Sequence, residues 1–169
     1  MPTFRVPEQQ SFVSDTGLLV DTNVLVRAFA ADEEGHDFVF WFLEEFWQHP
    51  LYVTIPVITE TWGFLVGKKR RLDWGYAFLA WIQAPGRVQV ISYCSEPLAV
   101  ASKTREFRVD FVDAAVMHIA NDISEGCGLK NSLCVATYDL NDFVRWVDCG
   151  LRFRIYDIQN DEVIEQNPA

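Results

Sequence analysis

The stretch LLVDTNVLVRAF, Leu18 to Phe29, decides how the start of the fold is interpreted. Three apolar residues precede Asp21, and apolar positions then recur at helical spacing, at Val24, Leu25 and Phe29. The pattern predicts a short buried strand followed by a helix, with a carboxylate at the junction. Two roles remain open for Asp21: a cap of the helix, because aspartate is a preferred capping residue, or a catalytic group at the end of a strand.

The composition bounds the size and the charge of the protein. The 169 residues are half apolar and suit one globular domain with a full hydrophobic core. With 14 basic and 24 acidic side chains, the formal net charge is −10. Such a surface repels phosphates, so a nucleic-acid partner requires bound cations or one basic patch to reverse the sign locally.

The chain carries no pattern typical of secretion or of a membrane span. The N-terminal stretch lacks the continuous apolar core of a signal peptide, and no apolar run approaches the ~20 residues that cross a bilayer. The cysteines form no CxxC pair and, together with the histidines, no zinc-ligand spacing. We expect a cytoplasmic protein with reduced cysteines and no membrane association.

Strand and helix patterns alternate along the chain, which implies a parallel sheet of four to five strands with helices on both faces. After the strand before Asp21, the strand patterns are LYVTI, RVQVI, SLCVA and RFRIY, at residues 51–55, 87–91, 132–136 and 152–156. The intervening helices include a strongly apolar one from Phe38 to Trp47. We expect an N-terminal arm over residues 1–16, a single domain over 17–156 and a polar tail over 157–169.

Four carboxylates fall near strand-to-helix or loop-to-helix junctions: Asp21, Glu60, Asp113 and Asp139. In open parallel sheets, ligands bind outside the carboxyl ends of the strands, so the topology can bring these acids to one edge. Carboxylates held close together repel each other, and either protons or a cation relieve the repulsion. Oxygen ligands suit Mg²⁺ or Mn²⁺ better than zinc, and such a cation neutralises charge on a phosphoryl transition state.

Each of these acids also has an ordinary structural role open to it. Glu60 fits an exposed position on a helix, and Asp113 fits the positive end of one. Asp110 is predicted to cap the long helix that follows it. Asp139 and Asp142 both fit the first turn of a short helix.

Taken together, four motifs resemble the PIN-domain nucleases, and most of all the VapC-type toxins of bacterial toxin–antitoxin pairs. They are VDTNVLVR with Asp21, VITETW with Glu60, DFVDAAV with Asp113 and ATYDLNDF with Asp139. The resemblance extends from Leu18 to Phe143 and rests on the order and spacing of the motifs.

The resemblance implies a three-layer α/β/α sandwich and an endoribonuclease that depends on Mg²⁺ or Mn²⁺. It implies that the four acids bind the metal and are catalytic, with Asp142 as an additional outer acid. Asn23 is expected to orient Asp21 or a metal-bound water, and Thr137 to form a hydrogen bond within the site. Arg27 matches a basic position whose expected contact is a phosphate or an antitoxin. The implied partners are an RNA substrate, a small antitoxin and a second copy of the chain.

Two alternatives compete with this interpretation. A non-catalytic PIN-like binding module, acting through protein partners, agrees with the acidic surface and the apolar helix from Phe38 to Trp47, but it leaves the intact set of four acids without a use. A phosphotransfer domain with Asp21 as nucleophile is disfavoured, because Asn23 stands where such enzymes need a second acid.

Overall fold

The computed structural model describes residues 17–46, 49–92, 97–126, 133–144, 153–160 and 162–164. Within these ranges the chain alternates between strands and helices, as the sequence predicts. In chain order the elements are β1 (Gly17–Val20), α1 (Thr22–Phe29), α2 (His36–Glu45), β2 (Leu51–Thr54), α3 (Ile55–Trp62), a π-helical segment (Gly63–Lys68), α4 (Leu72–Gln83), β3 (Val88–Ile91), α5 (Pro97–Phe107), α6 (Phe111–Gly126), β4 (Leu133–Thr137), α7 (Leu140–Val144), β5 (Arg154–Asp157) and β6 (Glu162–Ile164).

The strands form one sheet in the order β3-β2-β1-β4-β5-β6, with β1 to β5 parallel and β6 antiparallel to β5. With the right-handed crossovers that are nearly universal between parallel strands, α1 to α4 lie on one face and α5 to α7 on the other. The packing agrees, because α1 contacts α2, α3 and α4, and α6 contacts α5 and α7; α6 also contacts α3, the helix that carries Glu60. The predicted α/β fold with a largely parallel sheet is confirmed.

β1 and β4 lie side by side at the centre of the sheet. From β1 the chain adds β2 and β3 on one side, and from β4 it adds β5 and β6 on the other side, so the order of the strands reverses between β1 and β4. Both strands are buried along their whole length. Their carboxyl ends coincide, because Val20 pairs with Ala136. In doubly wound sheets this reversal opens a crevice at the carboxyl ends of the two strands, and ligands bind there.

Among the described residues, the five parallel strands agree with the predicted four to five, and the sheet has in addition a sixth, antiparallel strand that was not predicted. Residues 162–164 fall within the stretch expected to be a polar tail, yet they pair with β5, with Ile164 opposite Ile155 and Glu162 opposite Asp157. Val163 and Ile164 are partly buried against the core, which explains why so short a segment is held there. The expected N-terminal arm, residues 1–16, lies outside the described residues.

The second strand ends one residue earlier than the LYVTI pattern suggests. Thr54 is the N-cap of α3, and its Oγ1 accepts a hydrogen bond from the Val57 N–H at 3.4 Å. Pro56 occupies the first turn of α3, where its missing N–H costs nothing. Ile55 therefore begins a helix.

The apolar helix predicted from Phe38 to Trp47 is α2, but it is only partly buried. Val39, Phe42 and Leu43 face the core, whereas Trp41 is 54% exposed. Trp47 lies outside the described residues. None of the described helices, α2 included, has the length and apolarity needed to cross a bilayer.

Candidate functional site

Asp21 lies on the last rung between the two central strands. Its backbone N–H donates to the Ala136 carbonyl oxygen at 3.1 Å, which extends the pairing of β1 with β4 by one residue. The side chain is buried, with 1% of its surface exposed. Asp21 is also the N-cap of α1, and its Oδ1 accepts from the Thr22 N–H at 2.6 Å. The two roles left open for this residue are therefore compatible with each other.

The hydroxyl group of Thr137 fixes the other carboxylate oxygen of Asp21. It donates to Asp21 Oδ2 at 2.9 Å and accepts from Asn23 Nδ2 at 3.2 Å and from the Asp139 N–H at 2.9 Å. A hydroxyl has one proton and two lone pairs, so all of its capacity is used and its proton points to Asp21. Asn23 thus acts on Asp21 through Thr137, while its Oδ1 accepts from the Tyr138 N–H at 2.9 Å.

Glu60 reaches the site from the last turn of α3. It is exposed, and its Oε2 accepts a hydrogen bond of 2.6 Å from Thr22 Oγ1. This bond connects α3 to the first residue of α1, directly beside Asp21. Thr22 is not among the site residues predicted from the sequence, although its place between Asp21 and Asn23 was the available signal.

Asp113 lies in the first turn of α6, on the opposite face of the sheet from α1. Asp110 precedes this helix, and its Oδ1 accepts from the Asp113 N–H at 2.9 Å, as expected of a cap. Partial burial raises the pKa of Asp113 to about 8, and the charges of Asp21, Asp110, Asp142 and Glu60 add to the effect.

The pKa of Asp21 is raised for the same reasons as that of Asp113. Burial raises the pKa of Asp21 to about 7, and the charges of Glu60 and Asp110 act in the same direction. The hydrogen bonds from Thr137 and from the Thr22 N–H oppose this rise, because they stabilise the charged form. The structure therefore brings Asp21, Glu60 and Asp113 into one electrostatic cluster. Asp110, which was predicted only as a cap, contributes to it.

The two acids that follow β4, Asp139 and Asp142, differ in how strongly they are coupled to the cluster. Asp139 is exposed, and it is linked to the site through its backbone N–H, which donates to Thr137. Its charge is not among those that principally raise the pKa of Asp21 or Asp113, whereas the charge of Asp142 is among those acting on Asp113. Asp142, predicted as an outer acid, is in this respect coupled more closely to the cluster than Asp139.

The donor set of the cluster fits a hard divalent cation. All the donors are carboxylate oxygens, and their mutual repulsion is relieved by a positive charge placed among them. In the described part of the chain, no three Asp, Glu, His or Cys side chains are close enough together to hold a metal ion as they stand. For a cation to bind here, the side chains would have to rotate inward, and Glu60 would exchange its hydrogen bond with Thr22 Oγ1 for the cation.

Several solved structures share the fold of this chain, and two of them are described here by their likeness to it. VapC20 of Mycobacterium tuberculosis, described as a sarcin–ricin-loop-cleaving toxin, is 17% identical, with a TM-score of 0.53 over 79% of this chain and 95% of that chain. VapBC2 of Rickettsia felis, solved with a DNA fragment from its promoter, is 14% identical, with a TM-score of 0.57 over 84% of this chain and 100% of that chain.

At the level of sequence, no curated protein matches the chain significantly. The profile of the PIN domain does match, over residues 18–145. This range runs from β1 through α7 and contains Asp21, Glu60, Asp113 and Asp139. Because the match covers well over half of the chain, the protein belongs to the PIN-domain family.

Proposed function

We propose that the protein is a metal-dependent endoribonuclease and the toxin of a toxin–antitoxin pair. The observation that carries the proposal is the buried Asp21 at the switch point of the sheet, coupled electrostatically to Glu60 and Asp113. Membership of the PIN-domain family supports it, as does the fold shared with VapC20, a toxin that cleaves the sarcin–ricin loop.

The proposed reaction is hydrolysis of an RNA phosphodiester bond. Asp21, Glu60, Asp113 and Asp139 are proposed to hold Mg²⁺ or Mn²⁺, with Asp142 as an outer acid. When bound, the cation neutralises charge on the phosphoryl group and lowers the pKa of the attacking water.

The residues around the acids keep them in place for this reaction. Thr137 and the Thr22 N–H hold both oxygens of Asp21, so that its orientation is fixed before a cation arrives. Asn23 in turn holds the Thr137 hydroxyl. Without a cation, Asp113 is largely protonated near pH 7, because its pKa is raised to about 8. Binding of the cation therefore releases a proton from this group.

The proposed protein partners are a small antitoxin and a second copy of the chain. The antitoxin is supported by the similar fold of VapBC2, a VapB–VapC complex that was solved with a DNA fragment from its own promoter. Exposed apolar side chains support the second: Leu98 is 85% exposed, and Phe111, at the start of the helix that carries Asp113, is 45% exposed. A partner covers exposed apolar side chains where they form one contiguous patch, and we propose that Leu98 and Phe111 belong to such a patch.

The decisive experiment is cleavage of a mixed pool of structured RNA by the purified protein in Mg²⁺, in Mn²⁺ and in EDTA. We expect cleavage that requires a divalent cation and is lost in Asp21→Asn and Asp113→Asn, with both variants folded. Asp122→Asn is the matched control, because it makes the same change on α6 at a residue that faces His118, away from the cluster. It should retain activity.

Two results would contradict the proposal. One is cleavage that persists in Asp21→Asn or in EDTA, which would point to a contaminating nuclease. The other is binding of Mn²⁺ by the wild type, measured by calorimetry, without cleavage of any RNA in the pool. The latter would favour the non-catalytic binding module.

A further inference from the structure

Lys69 forms ion pairs with two successive acids of the loop between α1 and α2. Its Nζ lies 3.0 Å from both carboxylate oxygens of Asp32 and 2.7 Å from Glu33 Oε1. The side chains of Lys69 and Glu33 are only 23% and 28% exposed, so solvent and salt screen this pair less than a fully exposed one. Hydrogen bonds with Glu33 and Asp32 raise the pKa of Lys69, which therefore stays charged over the neutral range.

Lys69 lies on the side of its helix that faces α1, because a π-helical segment follows α3. Val57, Thr61 and Leu65 are fully buried, and Lys69 is the next residue in this series of four-residue steps. In a regular α-helix of ~3.6 residues per turn, such a series drifts around the axis. The π-helical segment, in which the Lys69 N–H donates to the Phe64 carbonyl oxygen at 2.9 Å, holds more residues per turn and counteracts the drift.

Hydrogen bonds fix the backbone on both sides of the Lys69 ion pairs. The Arg71 N–H donates to the Leu65 carbonyl oxygen at 3.0 Å, and the preceding Arg70 has φ 57°, in the left-handed region. An arginine in this region is strained, so the surrounding contacts must hold the turn. In the other segment, the Glu33 N–H donates to the Ala30 carbonyl oxygen at 2.9 Å. The ion pairs therefore join two turns whose backbones are themselves held in place.

The Lys69 ion pairs and the Thr22–Glu60 hydrogen bond lie at opposite ends of α1. α1 and α3 each follow a strand of the parallel sheet, so they run in the same direction. At the start of α1, Thr22 donates to Glu60 of α3 at 2.6 Å. Beyond the end of α1, Asp32 and Glu33 bind Lys69, and between the two links α1 packs on α3 and on the π-helical segment. Together the two links fix the position of α3 along α1.

The Lys69 ion pairs gain importance when a cation occupies the acid cluster. Glu60 then exchanges its hydrogen bond with Thr22 for the cation, and the polar link at the start of α1 is lost. Of the polar side-chain contacts that the described residues form between these two segments of the chain, the Lys69 ion pairs are those that remain. Apolar packing is not directional, so by itself it leaves α3 free to shift against α1.

We propose that Lys69 is a positioning residue: its ion pairs hold α3 where Glu60 stays within reach of the cation after it has left Thr22. The inference rests on the cation site of the proposed function and adds to it a residue that does not contact the cation. A purely stabilising ion pair would behave differently, because its effect on cation affinity would not depend on Glu60. The loss of Lys69 should matter for cation affinity only while Glu60 can bind the cation.

Calorimetric titration of the metal-free protein with Mn²⁺, in the absence of RNA, tests the proposal. Lys69→Met keeps the length of the side chain and removes both ion pairs, and we expect it to weaken Mn²⁺ binding about threefold, the scale of a partly exposed ion pair. The direction is informative, because removal of a positive charge by itself favours the binding of a cation. Lys69→Arg, which keeps a charge for the two acids, should bind Mn²⁺ within about twofold of the wild type.

Lys68→Met is the matched control for the loss of charge. It makes the same change at the neighbouring residue, whose Nζ lies 4.7 Å from the centre of the Phe64 ring and forms no ion pair in the described part of the chain. Its affinity for Mn²⁺ should equal or slightly exceed that of the wild type. Circular dichroism must show that every variant is folded.

A double-mutant cycle with Glu60→Gln separates positioning from stabilisation. The Glu60→Gln protein is titrated to millimolar Mn²⁺, so that its weaker binding stays measurable. In this background, Lys69→Met should change the affinity by less than about 1.5-fold, because the ligand that Lys69 positions is already lost.

Three results would overturn the proposal: unchanged Mn²⁺ affinity in Lys69→Met, an equal loss in Lys68→Met, or a threefold loss that persists in the Glu60→Gln background. In each of them the wild type still binds Mn²⁺, so the proposed function keeps its cation. If the wild type binds no Mn²⁺, the proposed function fails together with the role of Lys69. If it binds Mn²⁺ with the expected cycle but cleaves no RNA, the nuclease fails and the positioning role of Lys69 stands.

Discussion

Thr137 is the residue through which Asn23 acts on Asp21, and a single hydroxyl group makes the connection. Thr137→Val keeps the shape of the side chain but leaves the buried Asp21 with one donor fewer and Asn23 Nδ2 without its acceptor. We expect a loss of ~1–3 kcal/mol in the free energy of unfolding, the cost of unsatisfied buried polar groups. Nuclease activity should fall with it, because Asp21 loses its orientation.

Urea unfolding measures this change in stability. Thr104→Val is the matched control, since the Thr104 hydroxyl donates only to the Ala101 carbonyl oxygen within α5. Its effect should stay within ~0.5 kcal/mol. Equal effects at both positions would contradict the importance assigned to the Thr137 hydroxyl.

Asp142 and Asp139 should differ in how they affect Asp113. The negative charge of Asp142 helps to raise the pKa of Asp113, so Asp142→Asn is expected to lower that pKa. Asp139→Asn should lower it less, since Asp139 is not among the principal contributors. The pH titration of the Asp113 carboxyl carbon by NMR in the metal-free protein measures both effects. A larger decrease in Asp139→Asn would reverse the order of the two acids.

At the level of secondary structure, features determined by neighbours in the chain were predictable. The apolar run before Asp21, the proline at the start of α3 and the cap at Asp110 each depend on a few adjacent residues. These local features were sufficient to predict the order of strands and helices. They were also sufficient to predict that acids from separate elements approach one edge of the sheet.

Contacts between distant elements were not predictable. Thr22 and Glu60 meet across 38 positions of the chain, and the pairing of Arg27 with Tyr138 depends on how α1 lies against the end of β4. The sequence does not distinguish Asp139 from Asp142 as members of the site. The packing of α7 on α6 decides which of the two charges acts more strongly on Asp113, and that packing is not visible in the sequence. The strand β6 was missed, since three residues are too few to show an alternating pattern.

Two glycines of the α3–α4 region should respond in opposite ways to alanine. A Cβ at Gly75 in α4 would lie 2.5 Å from Val66 Cγ2 and 2.9 Å from Trp62 Cζ3, whereas nothing lies within 4 Å of one at Gly63. Alanine favours a helix by ~1 kcal/mol over glycine. Overpacking typically costs ~1–3 kcal/mol. We therefore expect Gly63→Ala to stabilise the protein and Gly75→Ala to destabilise it.

Chemical denaturation of the two variants tests this prediction. Gly63 has helical angles, φ −57° and ψ −38°, so alanine fits its backbone without strain. Stabilisation by both substitutions would mean that Val66 and Trp62 move aside easily and that the contact between α4 and the preceding segment is loose.

The molecule as a whole concentrates acids where its fold offers a crevice. Connections on opposite faces of the sheet deliver Asp21 and Asp113 to the same edge, so the charges that raise their pKa values come from elements far apart in sequence. In a chain of net charge −10, we expect this cluster to make the stability of the fold depend on pH, and the proposed cation site to make it depend on divalent cations as well.

We expect the stability of the metal-free protein to fall as the pH rises through the neutral range. Burial raises the pKa of Asp21 to about 7, and partial burial with neighbouring charges raises that of Asp113 to about 8. The folded chain therefore keeps protons that the unfolded chain loses near pH ~4. The resulting penalty is absent below that pH, grows as the pH rises, and is complete above about pH 8. Between about pH 5.5 and 8.5, Asp21 alone accounts for about 2 kcal/mol, at ~1.4 kcal/mol per pKa unit.

Urea unfolding at about pH 5.5 and about pH 8.5, in EDTA and in Mn²⁺, measures how the free energy of unfolding depends on pH. Mn²⁺ should stabilise the protein more at the higher pH, because there it does not compete with protons for the carboxylates. Asp21→Asn and Asp113→Asn cannot titrate, so each should flatten the pH dependence in EDTA and weaken the response to Mn²⁺. Asp122→Asn should leave both unchanged. A metal-free protein that becomes more stable from the lower to the higher pH would show that these carboxyl groups are not held protonated by burial and mutual repulsion.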